Sequence, residues 1–448
     1  MCGRPELARA LEEAVKADPV EWGTAPQYVV TALGRPLYIE YYFRALTERA
    51  ADIVPQAPAV LAAALARPLA GGVQAADQDT QNTSDEGNTQ EVVLDLVRAL
   101  ANVGGDLAAS LNDLWERALT AVRSIPEADD GLLFADHDSL SSAISRSWGR
   151  GLQTVLALAA WEFRSRGTVR PEFEQTLDAV IGTVGSTGLE FRAILAFRRP
   201  LLEQIADVWL EAHAAALFRE GTLAQETFDL TVKCSRPTTW FYREFTAELL
   251  GAALRGVDNA TRLIVVAALH EVEGYDLHTL IKRLGKDTAV LATAAEDAAF
   301  LVQEAEPDSP HLTVAIRFWT LLLDTDRTKA PAQALTGLGR WAFVDNIDDE
   351  QWAHLTIRTL DATDGRIDYP ISVADRAARI PPSSISRDIL VRLLDNGEPW
   401  ERHHAATKAL DVLRASTTAD DSFRRLRTRL IDLGHHEATT INPPDTTE

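Results

Sequence analysis

The stretch that decides the fold is WGRGLQTVLALAAWEF, residues 148–163. Apolar residues fall at positions 148, 152, 155, 156, 159 and 163 of this stretch. This spacing places them on one face of an α-helix, since residues three and four apart are neighbours on a helix surface. We therefore predict an amphipathic helix whose buried face begins at Trp148.

The same spacing recurs along the chain, for example over residues 200–219 and 310–323. Prolines at 171, 310 and 399 stand where helices would begin, because the first helical turn does not need the N–H that proline lacks. One segment, Leu263–Leu269 (LIVVAAL), is also compatible with a buried strand. No alternating segment offers that strand a partner, so we predict a helix there as well.

Repeated helices joined by short loops predict an all-α protein. We favour an irregular HEAT-like α-solenoid, in which helix pairs of about 40 residues stack on their neighbours. A compact helical bundle remains the alternative, since no repeated signature aligns from one pair to the next.

The polar tract GGVQAADQDTQNTSDEGNTQE, residues 71–91, contains a single large apolar residue and cannot bury enough surface to order itself. We therefore predict a small helical N-terminal region over 1–70, a disordered linker over 71–91, a solenoid over 92–435 and a disordered tail over 436–448.

Charge and composition narrow the possible partners and the compartment. The formal net charge is −22, and a broad acidic surface repels the phosphate backbone of nucleic acid. The longest apolar run is far shorter than the roughly 20 residues that span a bilayer, and the residues after Met1 lack a signal-peptide pattern. The two cysteines, Cys2 and Cys234, do not suggest a disulfide framework. We expect a cytoplasmic protein without a nucleic-acid or membrane partner.

Motifs for nucleotide and metal binding are incomplete. Leu284–Thr288 holds the Gly-Lys pair of a phosphate-binding loop but lacks its earlier glycine. His270, Glu271, Glu273 and His278 are the densest set of metal-ligand types, yet they lack the spacing that places two histidines on one helix face. We expect neither a bound metal ion nor a cofactor.

Calcium binding and thiol catalysis are also poorly supported. The acidic segments 345–350 and 361–365 do not place carboxylates at the positions that a calcium loop requires before its glycine. Cys234 lies beside Lys233 and Arg236, which would favour a thiolate, but no histidine is near it in sequence. We expect no catalytic residues.

Two segments are candidates for binding a protein partner. The first is the aromatic run of Trp240, Phe241 and Tyr242, since closely spaced aromatics cannot all face one core stripe. The second is the basic cluster of Arg424, Arg425, Arg427 and Arg429, which could attract an acidic partner. Core packing for the aromatics and compensation of the helix dipole for the arginines are the structural alternatives.

Residues 145–161 (SRSWGRGLQTVLALAAW) and 189–200 (LEFRAILAFRRP), the latter followed by Trp209, resemble helices of large bacterial STAND/NACHT-like ATP-binding proteins. Many of those proteins act in antiphage defence, and the helices belong to their C-terminal sensor region. The resemblance covers roughly residues 140–435 and implies a sensor or adaptor. The effector and ATPase core of those proteins have no counterpart here, so no ATPase activity is carried over.

The sequence therefore favours a non-enzymatic helical-repeat scaffold or sensor that binds a protein partner, and the resemblance implies a place in a bacterial defence system. Two alternatives stay open. One is an enzyme whose site is assembled from helices far apart in sequence, and the other is an inactive remnant of a larger ATPase. The sequence does not set the oligomeric state.

Overall fold

The computed structural model describes residues 4–66, 82–125, 139–234, 236–326, 328 and 330–441. Throughout these residues the regular secondary structure is helical, and no strand is formed. The fold is therefore all-α, as the sequence predicts. The chain divides into two compact units, unit 1 over Met1–Arg236 and unit 2 over Pro237–Glu448.

Unit 1 is built from thirteen α-helices and two 3₁₀ segments within the part of the chain that the structure describes. The helices are α1 Arg4–Ala17, α2 Pro19–Thr24, α3 Pro26–Leu33, α4 Pro36–Glu48, α5 Ala57–Leu65, α6 Asn82–Asn102, α7 Leu111–Arg123, α8 Ser139–Ser145, α9 Ser147–Arg166, α10 Pro171–Ile181, α11 Gly185–Ile205, α12 Asp207–Phe218 and α13 Ala224–Cys234. The 3₁₀ segments are Ala50–Gln56 and Ala108–Ser110.

Unit 2 is likewise built from α-helices and 3₁₀ segments in the described part of the chain. Its helices are α14 Thr239–Glu244, α15 Thr246–Leu254, α16 Ala260–Leu269, α17 Leu277–Leu284, α18 Thr288–Leu301, α19 Pro310–Asp324, α20 Asp349–Ala362, α21 Pro370–Arg379, α22 Ser384–Asn396, α23 Pro399–Ala415 and α24 Asp421–Asp432. Its 3₁₀ segments are Ala332–Phe343 and His436–Thr440.

The helix predictions from apolar spacing are confirmed. Residues 148–163 lie within α9, and Leu263–Leu269 lies within α16 rather than in a strand. Three helices begin at the predicted prolines, namely α10, α19 and α23.

The burial of α9 differs from the predicted stripe. Trp148 is buried, but so is every residue from Leu152 to Glu162, whereas Phe163 at the end of the predicted stripe is exposed. Gly149 and Gly151 explain the difference, because an added Cβ would lie 1.8 Å from the Ala143 carbonyl oxygen at the first and 2.8 Å from a backbone nitrogen of α7 at the second. Neighbouring helices therefore enclose α9 on several sides.

The central helices of unit 1 lie side by side. α6 contacts α9, α9 contacts α11, and α11 contacts α13. Arg150 on α9 binds Asp95 on α6, and one turn further along Gln153 binds Arg98, so these two helices run in the same direction. Their side chains therefore meet in a fixed register.

Unit 2 has two layers of helices. The first layer contains α16, α18, the 3₁₀ segment Ala332–Phe343, α21 and α23, each in contact with the next. The second layer contains α17, α19, α20, α22 and α24 in the same relation. Successive elements of the chain alternate between the layers, so five helical pairs follow one another.

A ladder of ion pairs joins the second layer. In each pair an aspartate of one helix binds an arginine of the next helix, at 2.6–2.8 Å. The pairs are Asp324–Arg358, Asp361–Arg392, Asp388–Arg425 and Asp395–Arg429. Since most of these side chains are partly exposed, each pair adds little stability by itself. Their regular placement nevertheless fixes which helices are neighbours.

The division into units does not follow the predicted domain boundary. A helix begins within the polar tract at Asn82, so residues 82–91 of the predicted linker are helical, and residues 71–81 lie outside the described part. α6 packs on α4, and Arg117 of α7 donates a hydrogen bond to the carbonyl of Ala64 at 3.3 Å. Helices on both sides of the tract thus share one core, because the N-terminal helices alone have too little surface to bury.

The predicted tail is also partly structured. Its first residues form the 3₁₀ segment His436–Thr440, and residues 442–448 lie outside the described part. Among the described residues, none of the helices combines the length and apolar character that crossing a membrane requires.

Candidate functional site

The predicted aromatic run lies mostly in the core of unit 2. Phe241 is 1% and Tyr242 5% exposed, while Trp240 is half-buried. The ring of Tyr242 packs edge-on against Tyr275 at 5.6 Å between centroids, and the Tyr275 hydroxyl donates to the Tyr242 carbonyl at 3.0 Å. Phe241 packs on Phe245 at 5.3 Å. The structure thus assigns Phe241 and Tyr242 to packing, which was the structural alternative.

The predicted basic cluster is neutralised by its own neighbours. Arg424 pairs with Asp421. Arg425 and Arg429 belong to two of the ion pairs that form the ladder of the second layer. Arg427 donates to the carbonyls of Ala438 and Thr439, at 3.0 and 2.7 Å, and so holds the last 3₁₀ segment. These arginines therefore have structural partners on α22, on α24 and at the C-terminal end of unit 2.

The metal-ligand candidate His270 lies beside a second histidine. His270 packs against His311 at 4.2 Å between ring centroids, and burial, followed by the nearby His311, lowers the pKa of His270. Within the described ranges, no three His, Cys, Asp or Glu side chains are close enough together to hold a metal ion.

The most distinctive polar arrangement lies on the first layer of unit 2, and two glycines make it possible. A Cβ at Gly337 would lie 2.4 Å from the Ala292 carbonyl oxygen of α18, and one at Gly339 would lie 1.8 Å from the carbonyl oxygen of Asp368. The 3₁₀ segment Ala332–Phe343 can therefore approach α18 and the start of α21 closely. This approach brings Arg340 between those two elements.

Arg340 is the centre of an aromatic cluster. Its guanidinium carbon lies 5.2 Å from the ring centroid of Phe300, 5.1 Å from that of Phe343 and 5.4 Å from that of Tyr369. Each distance is within the range of a cation–π contact. We call Arg340 and these three rings the Arg340 cluster.

Polar contacts fix the orientation of the cluster. Arg340 donates to Gln303 and to the Tyr369 hydroxyl, each at 3.4 Å, and lies 3.9 Å from the carboxylate of Glu296. The Tyr369 hydroxyl donates a short hydrogen bond to Glu296. This hydrogen bond, together with burial, raises the pKa of Tyr369, so the phenol stays protonated and acts as a donor.

Tyr369 also has an unusual backbone conformation. Its φ is 57° and its ψ 41°, in the left-handed region that non-glycine residues rarely adopt. The residue precedes Pro370, which restricts it further. Strain of this kind persists only where surrounding contacts hold it, and it is concentrated at functional sites. The contacts of Tyr369 with Arg340 and Glu296 supply that restraint.

A cavity of about 460 Å³ lies beside the cluster, between α16 and α18. Asp297 in its wall is buried and binds Arg262 at 3.2 Å, and the guanidinium of Arg262 stacks over Phe300 at 4.6 Å. Burial raises the pKa of Asp297 although the charge of Arg262 opposes the shift. Arg262, which lines the cavity, therefore connects it to the ring of Phe300 in the Arg340 cluster.

A second cavity, of about 520 Å³, lies on the other side of the cluster. Its walls come from the 3₁₀ segment, α21 and α23, and they include Phe343 of the cluster. Asp375 in this cavity binds His404 at 2.9 Å and Lys408 at 3.1 Å. The Arg340 cluster thus stands between two polar cavities on one layer of helices.

The surface around the Arg340 cluster combines paired charges with one exposed aromatic ring. Its charged side chains Arg262, Asp297, Glu296 and Arg340 have partners within the surface, the ring of Phe300 is exposed, and Tyr369 is half-buried. Exposed aromatic and arginine side chains that are held in place are the residues that contribute most to protein interfaces.

Sequence reasoning missed the Arg340 cluster because its members are far apart in the chain. The one local signal was the sequence Gly337-Leu-Gly339-Arg340, where two glycines precede an arginine and mark a close approach of backbone.

Neither a family model nor a curated protein nor a solved structure matches the chain.

Proposed function

We propose that the chain is a non-enzymatic helical-repeat scaffold and that the first layer of unit 2 binds a protein partner. The observation that carries the proposal is the Arg340 cluster between two cavities, with Phe300 43% exposed at its edge. A large exposed ring on a rigid polar surface loses little conformational entropy when a partner covers it.

The partner we propose is an extended segment of another protein. The surface crosses several neighbouring helices, from Asp297 on α18 to Lys408 on α23, and a cavity lies on each side of the rings. An extended chain can place side chains in both cavities while its middle part covers Phe300. Carboxylates and cations alternate along the surface, so the segment would carry charges of both signs.

A selection experiment tests this proposal. Peptides of about 15 residues would be selected from a random display library on the full chain, and their affinity measured by calorimetry. Phe300→Ala and Arg340→Met should each weaken binding at least about tenfold, which corresponds to about 1.4 kcal/mol. Arg358→Met is the matched control, because Arg358 is a half-exposed arginine of the second layer that pairs with Asp324.

Two outcomes contradict the proposal. The first is a selection that yields no peptide with measurable affinity for the wild-type chain. The second is a set of peptides whose affinity is unchanged by Phe300→Ala but lost with Arg358→Met, since this would place the binding surface on the second layer. Thermal unfolding of each variant identifies a loss of affinity that comes from misfolding.

The alternation of elements between two layers in unit 2 supports the further proposal that the helical pairs stack as an irregular HEAT-like solenoid. On the resemblance of residues 145–161 and 189–200 alone, we propose a sensor or adaptor of a bacterial defence system that acts in the cytoplasm. A gene for an ATPase or nuclease effector next to this one would support that role, and an unrelated neighbourhood would count against it.

A further inference from the structure

A row of nitrogen donors crosses unit 1, at one level of three neighbouring helices. On α6, Arg98 donates to the side-chain oxygen of Gln153 on α9 at 2.7 Å. On α11, Glu190 accepts a hydrogen bond from Trp148 of α9 at 3.0 Å, and Ile194 lies 3.3 Å from the Cβ position of Gly149 of α9. The two helices therefore run in the same direction, which places Arg198, one turn after Ile194, toward Gln153, one turn after Gly149. We call Arg98, Gln153 and Arg198 the donor row.

Arg98 is held in position by its other contacts. Its second guanidinium nitrogen binds Asp95 at 2.9 Å, and the same carboxylate binds Arg150 at 2.7 Å. Glu91 accepts a hydrogen bond from Ser147 at 2.6 Å and lies 3.8 Å from Arg150. Asp95 is therefore shared between Arg98 and Arg150, and Glu91 is occupied by Ser147 and Arg150.

Arg198 has no such partner. Among the described residues, it makes neither a hydrogen bond nor an ion pair, and its one ring contact is with Phe197 at 5.3 Å. The side chain is half-buried. Burial, followed by the nearby positive charge of Arg98, lowers the pKa of Arg198. A guanidinium group that is partly removed from water and faces a like charge is destabilising.

Gln153 adds a further donor without an acceptor. Its side chain is 8% exposed, and its amide nitrogen is buried with no hydrogen-bond partner among the described residues. A buried amide of this kind normally has a partner, so the missing acceptor requires an explanation. Within the described part of the chain, the donor row therefore combines two guanidinium groups and a free amide with one bound carboxylate, that of Asp95, which Arg150 shares.

We propose that the donor row of unit 1 binds an oxyanion, a carboxylate or phosphate group that bridges Arg98 and Arg198 beside the amide of Gln153. One added negative charge compensates Arg198, and the planar guanidinium groups match the oxygen geometry of both anions. Phe197, which is exposed beside Arg198, supplies an apolar edge for whatever carries the anion. The site is independent of the surface that we propose for unit 2.

Titration of the full chain at low ionic strength tests the proposal. The probes are inorganic phosphate and an acetylated, amidated tetraglutamate peptide, and calorimetry measures both. Arg198→Gln should weaken binding of the preferred probe at least about tenfold. The control is Arg166→Gln, since Arg166 is a more exposed arginine of α9 that binds Glu162 at 3.5 Å. Tighter binding of the peptide than of phosphate indicates a protein carboxylate, and the reverse indicates a free oxyanion.

Thermal unfolding supplies a second, independent measurement. Without an anion, Arg198→Gln should leave the melting temperature unchanged or raise it, because it removes the repulsion between Arg198 and Arg98. Phosphate or the peptide should raise the melting temperature of the wild type and not that of the variant. The proposal is overturned if neither probe binds saturably, if Arg198→Gln binds as tightly as the wild type, or if Arg198→Gln lowers the melting temperature without anion.

Discussion

The donor row of unit 1 and the ion-pair ladder of unit 2 are built in the same way but differ in whether their arginines have a carboxylate partner. Both lie where side chains of neighbouring helices meet at one level. In the ladder each arginine meets an aspartate, as Arg392 meets Asp361 at 2.8 Å. In the donor row Arg198 instead has no carboxylate partner among the described residues, and the positive charge of Arg98 acts on it.

The difference separates arginines that hold helices together from arginines that are open to a ligand. An arginine with its own carboxylate has its charge compensated inside the unit and gains little from an added anion. An arginine without one lowers stability until something binds it. Counting basic residues in the sequence could not make this distinction, since the cluster Arg424–Arg429 was the most basic segment and proved to be paired.

The largest effect should come from the tryptophan that fixes the register of the row. Trp148 is 8% exposed and donates to Glu190 of α11 at 3.0 Å. Trp148→Ala should lower the free energy of unfolding by about 3–5 kcal/mol, through lost burial and the cavity left behind. Trp400→Ala, at a site 62% exposed, should change it little. Denaturant unfolding measures both, and equal effects would mean that Trp148 is not a core residue.

Close helix approach in unit 1 provides the next prediction. A Cβ at Gly149 would lie 1.8 Å from the carbonyl oxygen of Ala143, so Gly149→Ala should cost about 1–3 kcal/mol by forcing α8 away from α9. In unit 2, Gly251 of α15 has only the end of the Arg255 side chain within reach, at 3.4 Å. Gly251→Ala should be neutral or stabilising by about 0.5–1 kcal/mol. A neutral Gly149→Ala would show that the two helices can separate without cost.

Removing one carboxylate from each region compares the row and the ladder directly. Asp95 binds two arginines, and Asp95→Asn should cost about 1–3 kcal/mol because the charges of Arg98 and Arg150 lose their shared partner. Asp361→Asn removes one half-exposed ion pair of the ladder and should lower the free energy of unfolding by about 0.2–1 kcal/mol. Thermal unfolding at low and at high salt measures the two losses, and a larger loss at Asp361 would reverse the comparison.

The smallest effect is a pH dependence in unit 2. Burial by itself raises the pKa of Asp420, but hydrogen bonds from Ser422 and the Phe423 amide, with the charge of Arg387, outweigh it and lower the pKa below 3.8. Asp420 therefore stabilises the fold above about pH 4, and this contribution is lost as the pH falls through the lowered pKa.

The comparison of variants across pH isolates this contribution. Wild type should melt higher than Asp420→Asn at neutral pH, and the difference should disappear in strong acid. Arg198→Gln removes no carboxylate partner, so its difference from wild type should stay constant over the same pH range. A difference at Asp420 that persists in strong acid would mean that its charge does not contribute.

Much of the fold could be predicted from local sequence. The apolar spacing of residues 148–163 and the prolines at 171, 310 and 399 identified helices that the structure contains. The candidate sites could not be predicted in the same way. Phe241 and Tyr242 looked available because the sequence does not show that Phe245 and Tyr275 cover them.

The sequence by itself determined the helical class, because helix periodicity depends on residues three and four apart and on the groups that begin each helix. Only the tertiary structure decided which helices became neighbours, where the chain divides into units and which arginines found a carboxylate. Those outcomes depend on the register between helices tens of residues apart, as between Arg98 and Gln153 or between Arg340 and Tyr369. A shift of one turn would exchange every such partner, and no local pattern specifies that register.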